Sequence, residues 1–284
     1  MSIVIWSDGR LHSPESPLVA GIDHGLTVGD GVFETLGVRR GRPFALTRHL
    51  RRLRASALGL GLGEPDEQLV RDGVEAAMAA AGADAGRVRI TVTGGAGPLG
   101  SGRFAADEQR QTVVVLVGPG SPTPLARVVR VPWVRNERSA VAGLKTTSYA
   151  ENVVALAAAT RRGADEALLA NTVGLLCEGT GSNVVLERDG ELLTPPLSSG
   201  CLAGITRELL LEWAPGAGIA AREADLPYRV LDDVLAGTAH LAVTGSVRNV
   251  SPVVALDEVD VAAGEVSLAA RAAFDARADD ELDP

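Results

Sequence analysis

The stretch "LLCEGTGSNVVLERDGELLTPPLSSGCLAGITRELLLE", residues 175–212, places a carboxylate, Glu178, inside an apolar strand and follows it with small residues and Asn183. A buried carboxylate is costly unless a partner holds it, so Glu178 marks either a site or, given Gly179 and Gly181, a turn acid at the surface. "SNVVLERDGELLT" then reads as two strands, and "ITRELLLEWA" as a helix opened by "GIT". The amides of Ile205 and Thr206, with the Thr206 hydroxyl, are therefore placed to bind an anion. The plainer alternative is that Thr206 only caps the helix.

Working outward, "SIVIWSDGRLHSP" predicts two strands joined at Asp8-Gly9, and "GVFETLGVRRGRPFAL" repeats the pattern at Arg40-Gly41. From Thr47 to about Leu58, the positions Leu50, Leu53 and Ala57 have helical spacing, with Thr47 as the N-cap. A second helix, "EPDEQLVRDGVEAAMAAAG", opens at Pro65 and stops at Gly82. "RVRITVT" and "QTVVVLV" are strands on either side of a glycine-rich loop. "GPGSPTP", residues 118–124, excludes a helix or central strand and divides the chain into a domain over 1–118, a linker over 119–124 and a larger domain over 125–284. Beyond it come strands near "RVVRVPW", "EALLA", "HLAVTG" and "VSPVVAL", a helix near 149–162, and a last helix fraying into an acidic tail. Without steady βαβ alternation, the expectation is an α+β fold of two α/β domains.

The 284 residues carry a net charge of −9, which argues against a general nucleic-acid or anionic-membrane binder. The start, "MSIVIWSDGR", lacks the basic and apolar regions of a signal peptide, and no uncharged apolar run is long enough to span a bilayer. Cys177 and Cys201 form no ligand cluster and read as buried residues of a reducing compartment, so a cytoplasmic protein without a metal site is expected.

There is no GxxxxGK[ST], no HExxH and no GxSxG, and the one GxGxxG, Gly95–Gly100 after the strand "RVRITVT", leads to another strand and opens no helix. "GAGPLGSG" is better read as a loop beside a site than as a phosphate cradle. In "RHLRRLR", residues 48–54, Arg48, Arg51 and Arg52 project opposite Leu50 and Leu53, which makes them a solvated face; spacing cannot say whether one of them reaches a phosphate. A different signal stands out elsewhere. Of the 27 lysines and arginines, Lys145 in "GLKTTSY" is the one lysine. Drift in composition explains a lone lysine blandly. A primary amine, however, can form a Schiff base, which a guanidinium cannot.

Lys145, Glu178 and the helix start at Thr206 together supply what pyridoxal 5'-phosphate requires: an amine for its aldehyde, an acid for its ring nitrogen and donors for its phosphate. "CEGTGSN", "LLTPP" and "CLAGITR", at their spacing, resemble the signature of the class IV pyridoxal-phosphate aminotransferase family, and the likeness runs from "DHGLTVGDGVFET" to "TGSVRNVSPV". The resemblance implies the fold type IV architecture of D-amino-acid aminotransferases and a homodimer. It also implies that Lys145 is the Schiff-base lysine and general base, that Glu178 faces the pyridine nitrogen, and that Tyr149 donates to the ring hydroxyl. Arg52, Ile205, Thr206 and Ser246 become the phosphate ligands. Val185, where many members carry an aromatic residue, departs from the pattern. "RVRITVTGGAGPLGSGR" and "RNERSAVAGLKTTSYAENVVALAA" look most like aminodeoxychorismate lyase, which implies release of 4-aminobenzoate and pyruvate for folate synthesis. The alternative is a branched-chain or D-amino-acid aminotransferase. Arg103, Arg135 and Arg248 are the candidates for binding substrate carboxylates.

Overall fold

Asp8 and Gly9 both take left-handed backbone conformations, with φ of 50° and 79°. That is the geometry a tight two-residue hairpin turn demands. The hairpin they close, β1 (Val4–Ser7) and β2 (Arg10–His12), begins the first of two compact units in a computed structural model that describes residues 3–105, 107–120 and 124–284. That unit comprises Met1–Ser121, Leu144–Tyr149 and Glu281–Pro284. Its elements continue with α1 (His24–Thr27), β3 (Gly31–Arg39), β4 (Arg42–Pro43), α2 (Leu46–Leu60), α3 (Glu67–Ala81), β5 (Arg87–Thr93) and β6 (Thr112–Gly118). The strands form one antiparallel sheet in the order β2-β1-β6-β5-β3-β4.

Alternation along β3 and β5 decides what each face of that sheet does. Val32 and Leu36, with Val88, Ile90 and Val92, point to one face and form a core with Leu50, Leu53 and Ala57 of α2 and Val70, Val74 and Ala77 of α3. Glu34 shares that buried face. Phe33, Arg89 and Thr91 stand on the other. α3 opens at Asp66, whose Oδ1 accepts from Leu69 N (3.0 Å), one residue past the Pro65 start expected from sequence.

The second unit, Pro122–Gly143 with Ala150–Asp280, holds β7 (Ala126–Arg135), α4 (Ala150–Arg161), β8 (Glu166–Asn171), β9 (Leu176–Gly179), β10 (Asn183–Arg188), β11 (Glu191–Thr194), α5 (Ile205–Trp213), β12 (Ala220–Glu223), α6 (Val230–Leu235), β13 (His240–Gly245), β14 (Asn249–Leu256), β15 (Val259–Asp260) and α7 (Glu265–Asp280). Its mixed sheet runs β12-β11-β10-β13-β14-β7-β8-β9, with β15 beside β14. The architecture is α+β. No helix among the described residues is long and apolar enough to cross a membrane. Of the linker read at 119–124, residues 121–123 lie outside the described residues.

Two placements differ from the sequence reading. Lys145 was counted with the larger C-terminal domain, yet Leu144–Tyr149 clusters with the first unit. The reason is backbone pairing: Phe33 N donates to Lys145 O (3.0 Å), Thr147 N to Gly31 O (2.8 Å), and Lys145 N to the Ser56 hydroxyl (3.1 Å). The acidic end of the chain does not fray either. Glu281–Pro284 belongs to the first unit, where its backbone and side chains bond α2.

Cys177 and Cys201 are both free and buried. Burial, reinforced by the nearby Glu178 carboxylate, pushes both thiols up from their ordinary range. Neither thiol is expected to react with Ellman's reagent in the native protein at pH 8, and both should react once guanidinium unfolds the chain. Rapid native labelling of either would contradict this burial.

Candidate active site

In the first unit, Lys145 is half-buried, and its Nζ lies 4.2 Å from the centre of the Phe33 ring and 5.7 Å from that of Tyr149. Phe33 and Tyr149 meet edge to face at 5.2 Å, which fixes both rings around the amine. Arg89 approaches the same Phe33 ring, its guanidinium carbon 3.5 Å from the centroid. The Arg89 Nε donates to the Thr91 hydroxyl (3.3 Å), and no carboxylate lies within ion-pair distance of Arg89 among the described residues. Burial pulls the Arg89 guanidinium below its ordinary value, an effect the Tyr149 and Glu34 charges only partly offset.

Behind this group, on the α2 face, sits a charged cluster. Arg52 Nε donates to Glu34 Oε1 (2.7 Å) and Arg52 Nη2 to Oε2 (2.6 Å), while His49 Nδ1 lies 2.6 Å from the same Oε2. Glu34 is fully buried. Burial alone would raise its carboxyl, but the Arg52 guanidinium and His49 outweigh it and hold it at about 2. Burial pushes His49 below its ordinary value despite the attraction of Glu34, so this imidazole is neutral near pH 7. Arg52 is thus not on a solvated face as its spacing suggested. Its side chain is 11% exposed and turned toward Glu34.

In the second unit, Glu178 sits in β9 with its carboxylate gripped at both oxygens: Arg135 Nε donates to Oε1 (3.0 Å) and Leu202 N to Oε2 (2.9 Å). Asn183 Nδ2 donates to Leu202 O (2.8 Å), so the acid and the amide of "CEGTGSN" hold the N–H and the C=O of one residue of "CLAG", Leu202. That clamp sets the approach to α5. Gly204 precedes the helix, and a Cβ there would fall 1.9 Å from Asn183 Oδ1. With no side chain to cap it, α5 begins at Ile205 and Thr206, both buried, and its first-turn amides form the positive end of the helix. Ser246 lies in the turn between β13 and β14; beside it, the buried Thr244 hydroxyl has no hydrogen-bond partner among the described residues. Glu166 of β8 accepts from the Thr180 hydroxyl (2.6 Å) and Gly181 N (3.2 Å), bracing the turn after Glu178; burial keeps its carboxyl above the ordinary range.

The three arginines offered for substrate carboxylates are already engaged. Arg103 forks onto Asp30 (2.7 and 2.6 Å) and two carbonyls, Arg135 holds Glu178, and Arg248 pairs with Asp165 and Glu166. Arg89 was missed. Its signal was present in "RVRITVT", where a cation alternates with Val88 and Ile90 and so must leave the core face. The glycine-rich loop is tied down at Ala96–Pro98 by Asp23 and His24, with His24 Nε2 2.9 Å from Pro98 O.

The family model for amino-transferase class IV matches residues 31–256, and the chain belongs to that family, whose members depend on pyridoxal phosphate. A bifunctional aminodeoxychorismate lyase / D-amino acid transaminase from Mycobacterium tuberculosis is 33% identical over 81% of this chain and 82% of its own. A putative branched-chain-amino-acid aminotransferase from Methanocaldococcus jannaschii is 31% identical over 89% of this chain and 88% of its own. The solved 4-amino-4-deoxychorismate lyase of Pseudomonas aeruginosa superposes with a TM-score of 0.81 at 31% identity, covering 99% of this chain and 100% of that one. The α+β architecture is therefore that of the fold type IV transaminases and lyases.

Proposed function

We propose that this chain is an aminodeoxychorismate lyase, converting 4-amino-4-deoxychorismate to 4-aminobenzoate and pyruvate, working as a homodimer in the cytoplasm. The observation that carries the reading is a solitary lysine whose amine is steered by two aromatic rings beside a half-buried arginine that no carboxylate among the described residues satisfies. The likeness to a lyase along both whole chains supports it. The donor set also fits the family's cofactor: a primary amine, an acid gripped at both oxygens, and a helix start with glycine in place of a capping side chain.

When bound, pyridoxal phosphate supplies an aldehyde for amines and a ring that accepts the electrons left by a departing proton. Lys145 Nζ is the amine that holds the aldehyde. With its amine free, the same Nζ would take the ring proton of the substrate and return it to the departing enol, which leaves as pyruvate. Loss of pyruvate then leaves an aromatic ring, so the elimination is downhill and asks little more of the protein. Glu178, fixed by Arg135 and Leu202, keeps a proton on the ring nitrogen, and Tyr149 donates to the ring hydroxyl. Arg52, the Ile205 and Thr206 amides and the Ser246 hydroxyl bind the phosphate.

Arg89 takes a substrate carboxylate in this account. A hydrogen bond to a charged group contributes roughly 1.5–3 kcal/mol. Arg89→Gln should therefore raise KM on the order of 10- to 100-fold, with a smaller change in kcat. Steady-state kinetics showing an unchanged KM would remove Arg89 from the site.

D-Amino-acid transamination is the second reading, favoured because the 33%-identical relative is named for both activities. The experiment that separates them offers aminodeoxychorismate alone and, separately, D-amino acids with 2-oxoglutarate or pyruvate. Release of pyruvate and 4-aminobenzoate without an added keto acid supports the lyase. Amino transfer without any lyase activity would replace it.

A further inference from the structure

The α2 helix, which carries His49 and Arg52, starts without a cap of its own. Its N-cap is Ala45, held in a left-handed conformation (φ 54°) and unable to accept a hydrogen bond through its methyl group. An L residue keeps that conformation only when its surroundings impose it. Thr47, the cap expected from sequence, lies inside the helix.

The missing acceptors come from the far end of the sequence. Asp283 Oδ1 accepts from Thr47 N (2.8 Å) and Oδ2 from the Thr47 hydroxyl (2.7 Å). Ala45 N donates to Leu282 O (2.7 Å) and Arg48 Nε to Pro284 O (2.9 Å). A carboxylate at this end also opposes the positive pole of the helix. Four bonds from three consecutive residues thus fix the first turn of α2, and Arg52 stands one turn further along the same helix.

We propose that Leu282–Pro284 is a positioning element for the cofactor's phosphate: Asp283 caps α2 from 236 residues away and so sets where Arg52 presents its guanidinium. The proposal rests on Arg52 as a phosphate ligand. It assigns a function to a segment whose composition alone suggests a frayed tail.

The test compares binding of pyridoxal 5'-phosphate and of unphosphorylated pyridoxal to the apoenzyme, by absorbance titration, in Asp283→Ala, Asp283→Asn and Arg52→Ala. Asp283→Ala should weaken the phosphorylated ligand on the order of fivefold, the scale of a typical cap loss, and leave pyridoxal unchanged. Asp283→Asn, which keeps an acceptor for Thr47 N, should retain most of the affinity, and it carries the test if the alanine variant does not fold. Arg52→Ala should show a larger loss with the same selectivity. Equal weakening of both ligands in Asp283→Ala, or none while Arg52→Ala weakens the phosphorylated one, would overturn the positioning role. Unchanged phosphate binding in Arg52→Ala would instead remove the reading of Arg52 on which the proposal stands.

Discussion

Lys145→Arg is expected to fold normally and to lose turnover by at least about 10³-fold. The substitution keeps a cation over Phe33, where the native amine lies 4.2 Å from the ring centre, so packing and local charge are nearly preserved. The segment itself is anchored by backbone bonds to Phe33, Gly31 and Ser56 that do not involve the side chain beyond Cβ. What is lost is chemical. A guanidinium neither condenses with an aldehyde nor gives up a proton near neutral pH, and general-base catalysis alone contributes about 10²–10⁴-fold. Pyruvate release measured beside a thermal melt separates the two effects. Substantial turnover in a well-folded Lys145→Arg protein would refute the role.

The second large effect concerns stability. Glu34→Ala removes the buried acceptor shared by Arg52 and His49, and breaking a buried ion pair by deleting one partner should cost about 3–5 kcal/mol. Glu34→Gln keeps the volume and one oxygen and should cost less. The acid dependence has a definite sign. Glu34 titrates at about 2 in the folded protein against 4.5 as its ordinary value, so its stabilisation is full above 4.5 and disappears as pH falls toward 2. His49 is depressed below 6.5, so its contribution is full above 6.5 and declines as pH drops below that value. The wild-type melting temperature should therefore begin to fall below about pH 6.5 and fall further below pH 4.5. Glu34→Ala should lose the lower of these two phases. Equal stability of Glu34→Ala and wild type at pH 7, by guanidinium denaturation, would contradict the ion cluster.

The hairpins were legible because Asp8-Gly9 and Arg40-Gly41 encode their turns locally, and all four residues take positive φ. β12 and α6 were not. "AARE" is mostly exposed and shows no alternation, and six residues of α6 are too few for helical periodicity to register. Thr47 was misread as a cap for a non-local reason: the true acceptor is Asp283, and no window of sequence contains both. Arg52 shows the limit of projecting a helix. At 100° per residue it joins the solvated arginines, but Glu34 on the neighbouring strand draws it inward. The signature in residues 178–206 was readable as chemistry, whereas its mechanical basis, Glu178 and Asn183 clamping Leu202, needed coordinates.

Borohydride reduction of the pyridoxal-phosphate-loaded protein, followed by peptide mapping, tests the central claim most directly. Reduction should fix one cofactor per chain, and the peptide carrying it should contain Lys145, the one lysine side chain available. Fixation at the amino terminus, or none at all with cofactor in excess, would contradict the account.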